Sequence, residues 1–174
     1  MCRSLQSFTV TLLVIALAAC SDSISPNADA QVSAQDQCDP TSFNAALGNG
    51  TCTKQGNVTL TAFNNELTAT QQVAAWRFEP SSLTIRVGQA ITVRNDGGEK
   101  HTFTEVAAFG GGIVPALNTA SGNTEEAPEC AALAANAMIA PGTTFRTDAA
   151  TDAEVEHYQC CIHPWMRATV TVTH

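Results

Sequence analysis

Basic residues are scarce in this sequence, with Lys+Arg 8 against Asp+Glu 16 and a formal net charge of -8. No face can therefore carry the positive field that a phosphate backbone requires, which excludes nucleic acid as a partner. Adsorption to anionic lipid by charge alone is excluded for the same reason. Long hydrophobic runs are also missing: the apolar stretch Phe8 to Ala19 is too short to span a bilayer as a mature helix. Helical spacing is largely absent, and no internal repeat is visible. What the chain does have is 174 residues at 44% hydrophobic content, enough for one sizeable core and too little for two.

The apolar stretch follows a single basic residue, Arg3, and reads as a secretory signal over residues 1–19. Its end, Leu17-Ala18-Ala19-Cys20, resembles the bacterial lipobox. That resemblance implies that Cys20 becomes the lipidated first residue of a protein anchored in the cell envelope through lipid only. Ser21 after it favours the outer membrane; an ordinary secreted protein cleaved nearby is the alternative. Residues 20–37 are Ser, Asp, Asn, Gln and Ala with few apolar positions, and are expected to form a flexible tether.

Cysteine numbers 7. With Cys2 removed in the signal and Cys20 taken by lipid, Cys38, Cys52, Cys130, Cys160 and Cys161 remain, and an odd remainder in an exported chain requires one thiol with another use. Cys38 and Cys52 bracket turn signals at Asp39-Pro40 and Gly48-Asn49-Gly50, so a Cys38–Cys52 disulfide is expected to stiffen an N-terminal extension over 38–72. Unpaired thiols are the alternative.

From there the pattern is period two, with Val58/Leu60/Ala62, Leu83/Ile85/Val87, Ile91/Val93 and Val170/Val172 alternating against polar neighbours. Turns at Gly88-Gln89, Asn95-Asp96-Gly97-Gly98 and Pro141-Gly142 separate such segments. The expected class is all-β, a Greek-key antiparallel β-sandwich over 73–174. Between Val106 and Ile139 the alternation fails at Gly110-Gly111-Gly112, Pro115, Pro128 and an Ala-rich stretch, giving a long insertion (about 106–140) with room for a short helix. Trp76 and Phe78 are expected in the core.

The run Tyr158-Gln159-Cys160-Cys161-Ile162-His163-Pro164-Trp165-Met166 places a thiolate, an imidazole and a thioether within one turn between two strands. Copper cycles between a monovalent state that favours sulfur and a divalent state that favours nitrogen, and a His₂Cys plane with a distant Met suits both. The second imidazole is expected from His101, which opens the segment His101-Thr102-Phe103 after the glycine turn and shares a face with Phe103. Alternation sends Cys161 away from a metal that Cys160 faces, so Cys161 is expected to pair with Cys130 and pin the insertion to the ligand loop. A vicinal Cys160-Cys161 bond, which would consume the ligand, is the unfavoured alternative. His157 and His174 have no matching partner and receive no chemistry; Met138 is read as packing.

With Cys, His and Met at equal three-residue steps and Pro after His, the chain resembles the cupredoxin (blue copper) family over roughly Trp76 to Val172, its ligand loop being most similar to the amicyanin and plastocyanin type. The resemblance implies a cupredoxin-like sandwich holding one copper ion (Cu+/Cu2+) through His101, Cys160, His163 and Met166. It also implies a redox partner protein docking near His163 and Trp165, where the family exposes the imidazole edge. Thr102 departs from the pattern, standing where the family carries an Asn that ties the two ligand loops together. The function expected is a type 1 (blue) copper protein, a one-electron carrier of the bacterial cell envelope and not an enzyme. Copper delivery or storage is the alternative, disfavoured because only Met138 and Met166 follow the signal, whereas such proteins use clusters of Met or His.

Overall fold

The computed structural model describes residues 28–134 and 136–174. The expected signal, the lipidation residue Cys20 and the first part of the expected tether lie outside the described residues.

Two four-stranded sheets pack face to face. In the first, β1 (Ala30–Gln35) lies between β2 (Arg77–Glu79) and β4 (Ile91–Asn95), and β6 (Thr144–Arg146) closes the far side of β4. In the second, β8 (Arg167–Thr173) lies between β3 (Ser82–Arg86) and β7 (Val155–Gln159), with β5 (Thr104–Val106) beside β7. The class is all-β and the architecture a sandwich, but neither sheet is purely antiparallel. β1 runs parallel to β4, with Val32 opposite Val93, and β3 runs parallel to β8, with Ile85 opposite Val172. Alternation sets the inner faces: Val32 and Ala34 on β1, Ile91, Val93 and Asn95 on β4, and Ala168, Val170 and Val172 on β8 are buried while their neighbours are not.

The tether expected over 20–37 is corrected by β1. Ala30-Gln31-Val32-Ser33-Ala34-Gln35 has too little apolar area to order itself, but both of its edges are hydrogen-bonded, to β2 on one side and β4 on the other. Backbone pairing supplies what the side chains lack. The extension is also more than a stapled loop. Asp39 caps α1 (Pro40–Leu47) by accepting from the amides of Thr41 and Ser42, and Gly48, at φ 107, ends it. Thr59 caps α2 (Leu60–Thr70) through the amide of Ala62. The strand expected through Val58, Leu60 and Ala62 is therefore a helix from Leu60, because Leu60, Phe63 and Leu67 fall on one helical face, with Phe63 and Leu67 buried. Cys38 and Cys52 are disulfide-bonded, tying this helical segment beside the end of β1.

Within the insertion lie two short helices, α3 (Pro115–Ala120) and α4 (Pro128–Ala131). It is fastened to the ligand loop twice. Cys130 is bonded to Cys161, and Gly112 lies so close to the backbone of Cys161 that a Cβ there would sit 2.0 Å from the Cys161 carbonyl oxygen.

Candidate metal centre

Cys160 directly follows β7, and the loop it opens is closed by two backbone hydrogen bonds, Cys160 N–H to the Met166 carbonyl at 3.0 Å and Met166 N–H to the His163 carbonyl at 2.9 Å. This tight return brings His163 back over the Cys160 side chain and leaves Met166 buried in the same loop. His101 lies on the connection that crosses from β4 to β5. It pairs with Ile139 through both backbone groups, at 3.2 and 2.8 Å, while the Asn95 side-chain amide donates to the carbonyls of Glu99 and Ile139 and holds the turn that precedes it.

These elements bring three ligand atoms together. The Cys160 Sγ lies 3.8 Å from the His101 Nδ1 and 3.7 Å from the His163 Nδ1, and all three ligand atoms lie within 4.8 Å of one another. A metal at about 2.0 Å from nitrogen and about 2.3 Å from sulfur, with ligands spread by about 120°, separates the sulfur from each nitrogen by about 3.8 Å. The donor set therefore fits a three-coordinate plane around one ion. The thiol of Cys160 is completely buried, and His101 and His163 are at most 3% exposed. Among the described residues Cys160 is the free cysteine, the other four being paired.

Two carboxylates stand behind the two imidazoles, and sequence reasoning identified neither. The Asp36 carboxylate, at the end of β1, accepts from the His101 Nε2 at 2.9 Å, with both side chains fully buried. It is held by the amides of Cys38, Gly98 and Glu99. Glu99 stands 3.5 Å from the His163 Nε2 and accepts from the Trp76 indole N–H at 2.7 Å. An ionised carboxylate can only accept, so opposite Asp36 the His101 Nε2 carries the hydrogen, and the Nδ1 atoms of both rings are turned to the sulfur. Asp36 lies 65 positions before His101 in a segment read as unstructured, and only the Gly97-Gly98 doublet hinted that something approaches the turn closely.

The charges follow from this packing. Burial opposes ionisation of Asp36, but the hydrogen bonds from His101 and from the amides of Glu99 and Gly98 outweigh it and hold the carboxyl at about 2. Burial likewise opposes charge on His163, and the Cys160 sulfur and Glu99 overcome it, raising the imidazole to about 10. His101 is raised too, the contributions of Asp36 and Cys160 exceeding the effect of burial. Cys160 is lowered well below the usual thiol value, because hydrogen bonds from His101 and His163 outweigh desolvation. The same contacts thus favour the ionised form of Cys160 and the charged forms of both rings.

Thr102 ties the two candidate ligand segments together. Its hydroxyl accepts from the Cys161 N–H at 2.8 Å, and its own N–H points to the Cys160 Sγ at 3.4 Å, so the two ligand segments are joined through one short side chain. His157 packs edge-on against Phe109, away from the centre, and His174 is exposed. Trp76 and Phe78 are buried.

The exposed imidazole edge expected at the ligand loop is absent, for His163 is only 3% exposed. α2 lays Phe63 against Trp165 with ring centroids 5.8 Å apart, and Trp76, stacked on Phe43, lies 6.5 Å from His163. The helical extension covers the corner that a bare sandwich would leave open. A shallow depression of about 330 Å³, lined in part by Asn49, Thr51, Lys100 and Ile162, reaches His163 from outside.

No protein-family model matches this sequence, and no curated protein matches it. Solved structures similar to the chain include the novel purple cupredoxin from Nitrosopumilus maritimus, at 19% identity over 83% of this chain and 100% of that one, with a TM-score of 0.47. The reduced state of an amicyanin variant matches at 24% identity over 59% of this chain and 78% of that one, TM-score 0.39. The Cu(I) form of a second amicyanin variant matches at 22% identity over the same shares, TM-score 0.39.

Proposed function

We propose that this chain is a cupredoxin of the type 1 copper class, a one-electron carrier that holds a single copper ion through Cys160, His101 and His163, with Met166 as the distant fourth ligand. The observation that carries this reading is the buried triangle of one sulfur and two Nδ1 atoms with sides of 3.7 and 3.8 Å at the thiolate. Copper, when bound, supplies the Cu+/Cu2+ couple; the protein supplies ligands acceptable to both states. Each ring has a carboxylate on its far side, His101 through a 2.9 Å hydrogen bond and His163 at 3.5 Å, and the loop is closed by backbone bonds, so little has to rearrange when charge changes. The burial of all three donor residues, with Cys160 wholly enclosed, favours an electron carrier over an enzyme.

The lipid anchor at Cys20 would hold this domain in the cell envelope, with the outer membrane favoured and a secreted form the alternative. A redox partner protein would dock on the face where Ile162 and Lys100 border the depression above His163, close to Trp165.

Copper-loaded protein should show an intense visible thiolate-to-copper band and the matching paramagnetic-resonance spectrum, both lost in Cys160→Ser. Copper bound without that band and surrendered readily to a chelator would replace electron transfer with delivery or storage, and a chain that binds no copper would end the reading.

A further inference from the structure

Both candidate ligand imidazoles have a carboxylate on the nitrogen facing away from the thiolate, and the two carboxylates are built into the fold differently. Asp36 is a terminus-of-strand residue whose side chain is fully buried, 2.9 Å from the His101 Nε2, and clamped by three backbone amides. The clamp requires the Gly97-Gly98 doublet: a Cβ at residue 97 would lie 1.9 Å from the Asp36 Oδ2. Glu99, with a side chain 10% exposed, faces the His163 Nε2 at 3.5 Å and is anchored by the Trp76 indole. Neither carboxylate has a Lys or Arg partner among the ion pairs of the described residues. Two negative charges are thus placed in a dry region, with rings as their chief partners.

Resting on the copper reading, we propose that Asp36 and Glu99 are paired positioning residues that fix both imidazoles with Nδ1 toward the metal and bias the bound ion toward its divalent state, Asp36 more strongly than Glu99. Two physical effects act in the same direction. A carboxylate accepting from Nε2–H makes the ring a stronger donor, which the more highly charged ion rewards. Each anion also lowers the energy of added positive charge, an effect enlarged where water is excluded. Asp36 ranks first because its bond is shorter and its side chain fully dry. The N-terminal strand and the helical extension thereby become part of the metal site: β1 delivers Asp36, and Trp76, packed on Phe43 and Phe63, holds Glu99.

The test is the reduction potential of copper-loaded wild type, Asp36→Asn and Glu99→Gln, measured beside their visible spectra, with ¹⁵N shifts of the ligand rings in the diamagnetic Cu(I) forms. Both substitutions keep an oxygen that can accept from the neighbouring N–H groups while removing the charge. Asp36→Asn is expected to shift the divalent/monovalent equilibrium at least tenfold toward Cu(I), a rise of about 59 mV for one electron, with Glu99→Gln moving it less in the same direction. The Nε2 shift of the affected ring should move in each variant, while the thiolate-to-copper band persists. If Asp36→Asn does not fold, Glu99→Gln decides alone. Potentials within about twofold in that equilibrium of wild type, in a protein that still binds copper, overturn the proposal and leave the copper reading standing. A wild type that binds no copper overturns both.

Discussion

Asp36 and Gly97 are in such close contact that no side chain fits between them: a Cβ on residue 97 would meet the Asp36 Oδ2 at 1.9 Å and its Cγ at 2.6 Å. The carboxylate behind His101 therefore depends on an absent methyl group three strands away in sequence order.

Gly97→Ala should displace Asp36 from the His101 Nε2. Overpacking of this kind costs about 1–3 kcal/mol, with the lost buried hydrogen bonds added. Chemical denaturation of the metal-free protein should show the loss, and copper titration should show weakened binding. Gly142→Ala is a suitable contrast, since a Cβ there meets nothing within 4 Å, leaving only the strain of its φ of 76°. Equal copper affinity in Gly97→Ala and wild type would contradict this account.

Cys130→Ala with Cys161→Ala removes the bond that closes a loop of sequence separation 31. A disulfide of that kind contributes about 2–4 kcal/mol. The double variant should unfold at lower denaturant while keeping the thiolate-to-copper band, because Cys160 takes no part in the bond and Gly112 still packs on residue 161. Loss of the band would mean that the disulfide, and not the backbone ties through Thr102, positions the thiolate.

Copper affinity should rise with pH and level off near the raised value of His163. The His163 ring, at about 10, is protonated at neutral pH and the His101 ring is shifted the same way, whereas a metal requires both neutral. Cys160 is shifted toward its ionised form, so its proton opposes binding less than an ordinary thiol's would. For the metal-free fold the His163 contribution has the other sign: a raised folded value means stability fully present below the ordinary 6.5 and lost as pH climbs through about 10. Ultraviolet thiolate absorbance in metal-free protein at neutral pH, missing in Cys160→Ser, checks the first premise, and competition titrations against a chelator at stepped pH check the slope.

Glu105→Gln, at the middle of β5, should alter the pH dependence of stability. Partial burial, then the charges of Glu156, Glu154 and Glu129, raise the Glu105 carboxyl above its usual 4.5. Its favourable contribution is consequently present below 4.5 and lost as pH rises through the folded value. Relative to wild type, the glutamine variant should gain at neutral pH and lose that advantage on acidification, in thermal unfolding scans. A constant difference between the two proteins across that range would contradict the shift.

The proximity of Cys160 and His163 was legible from spacing alone. Cys160, His163 and Met166 lie within one loop, so residue types and steps sufficed, and the alternation that turns Cys160 inward turns Cys161 out toward Cys130. The inner faces of β4 and β8 were legible because buried strands alternate. The N-terminal third was not. Ala30 to Gln35 is strand only because β2 and β4 satisfy its two edges, and Leu60 to Thr70 hides a helical face behind a short alternating start.

Local chemistry in the chain determined the all-β sandwich and the placing of Cys160 and His163 in one loop, because each depends on neighbours a few residues apart. Tertiary packing decided that β1 is a central strand, that Asp36 and Glu99 stand behind His101 and His163, and that helices cover the His163 edge. Those contacts join segments tens of residues apart, and the carboxylates that make them have no pattern of their own until folding removes the water around them.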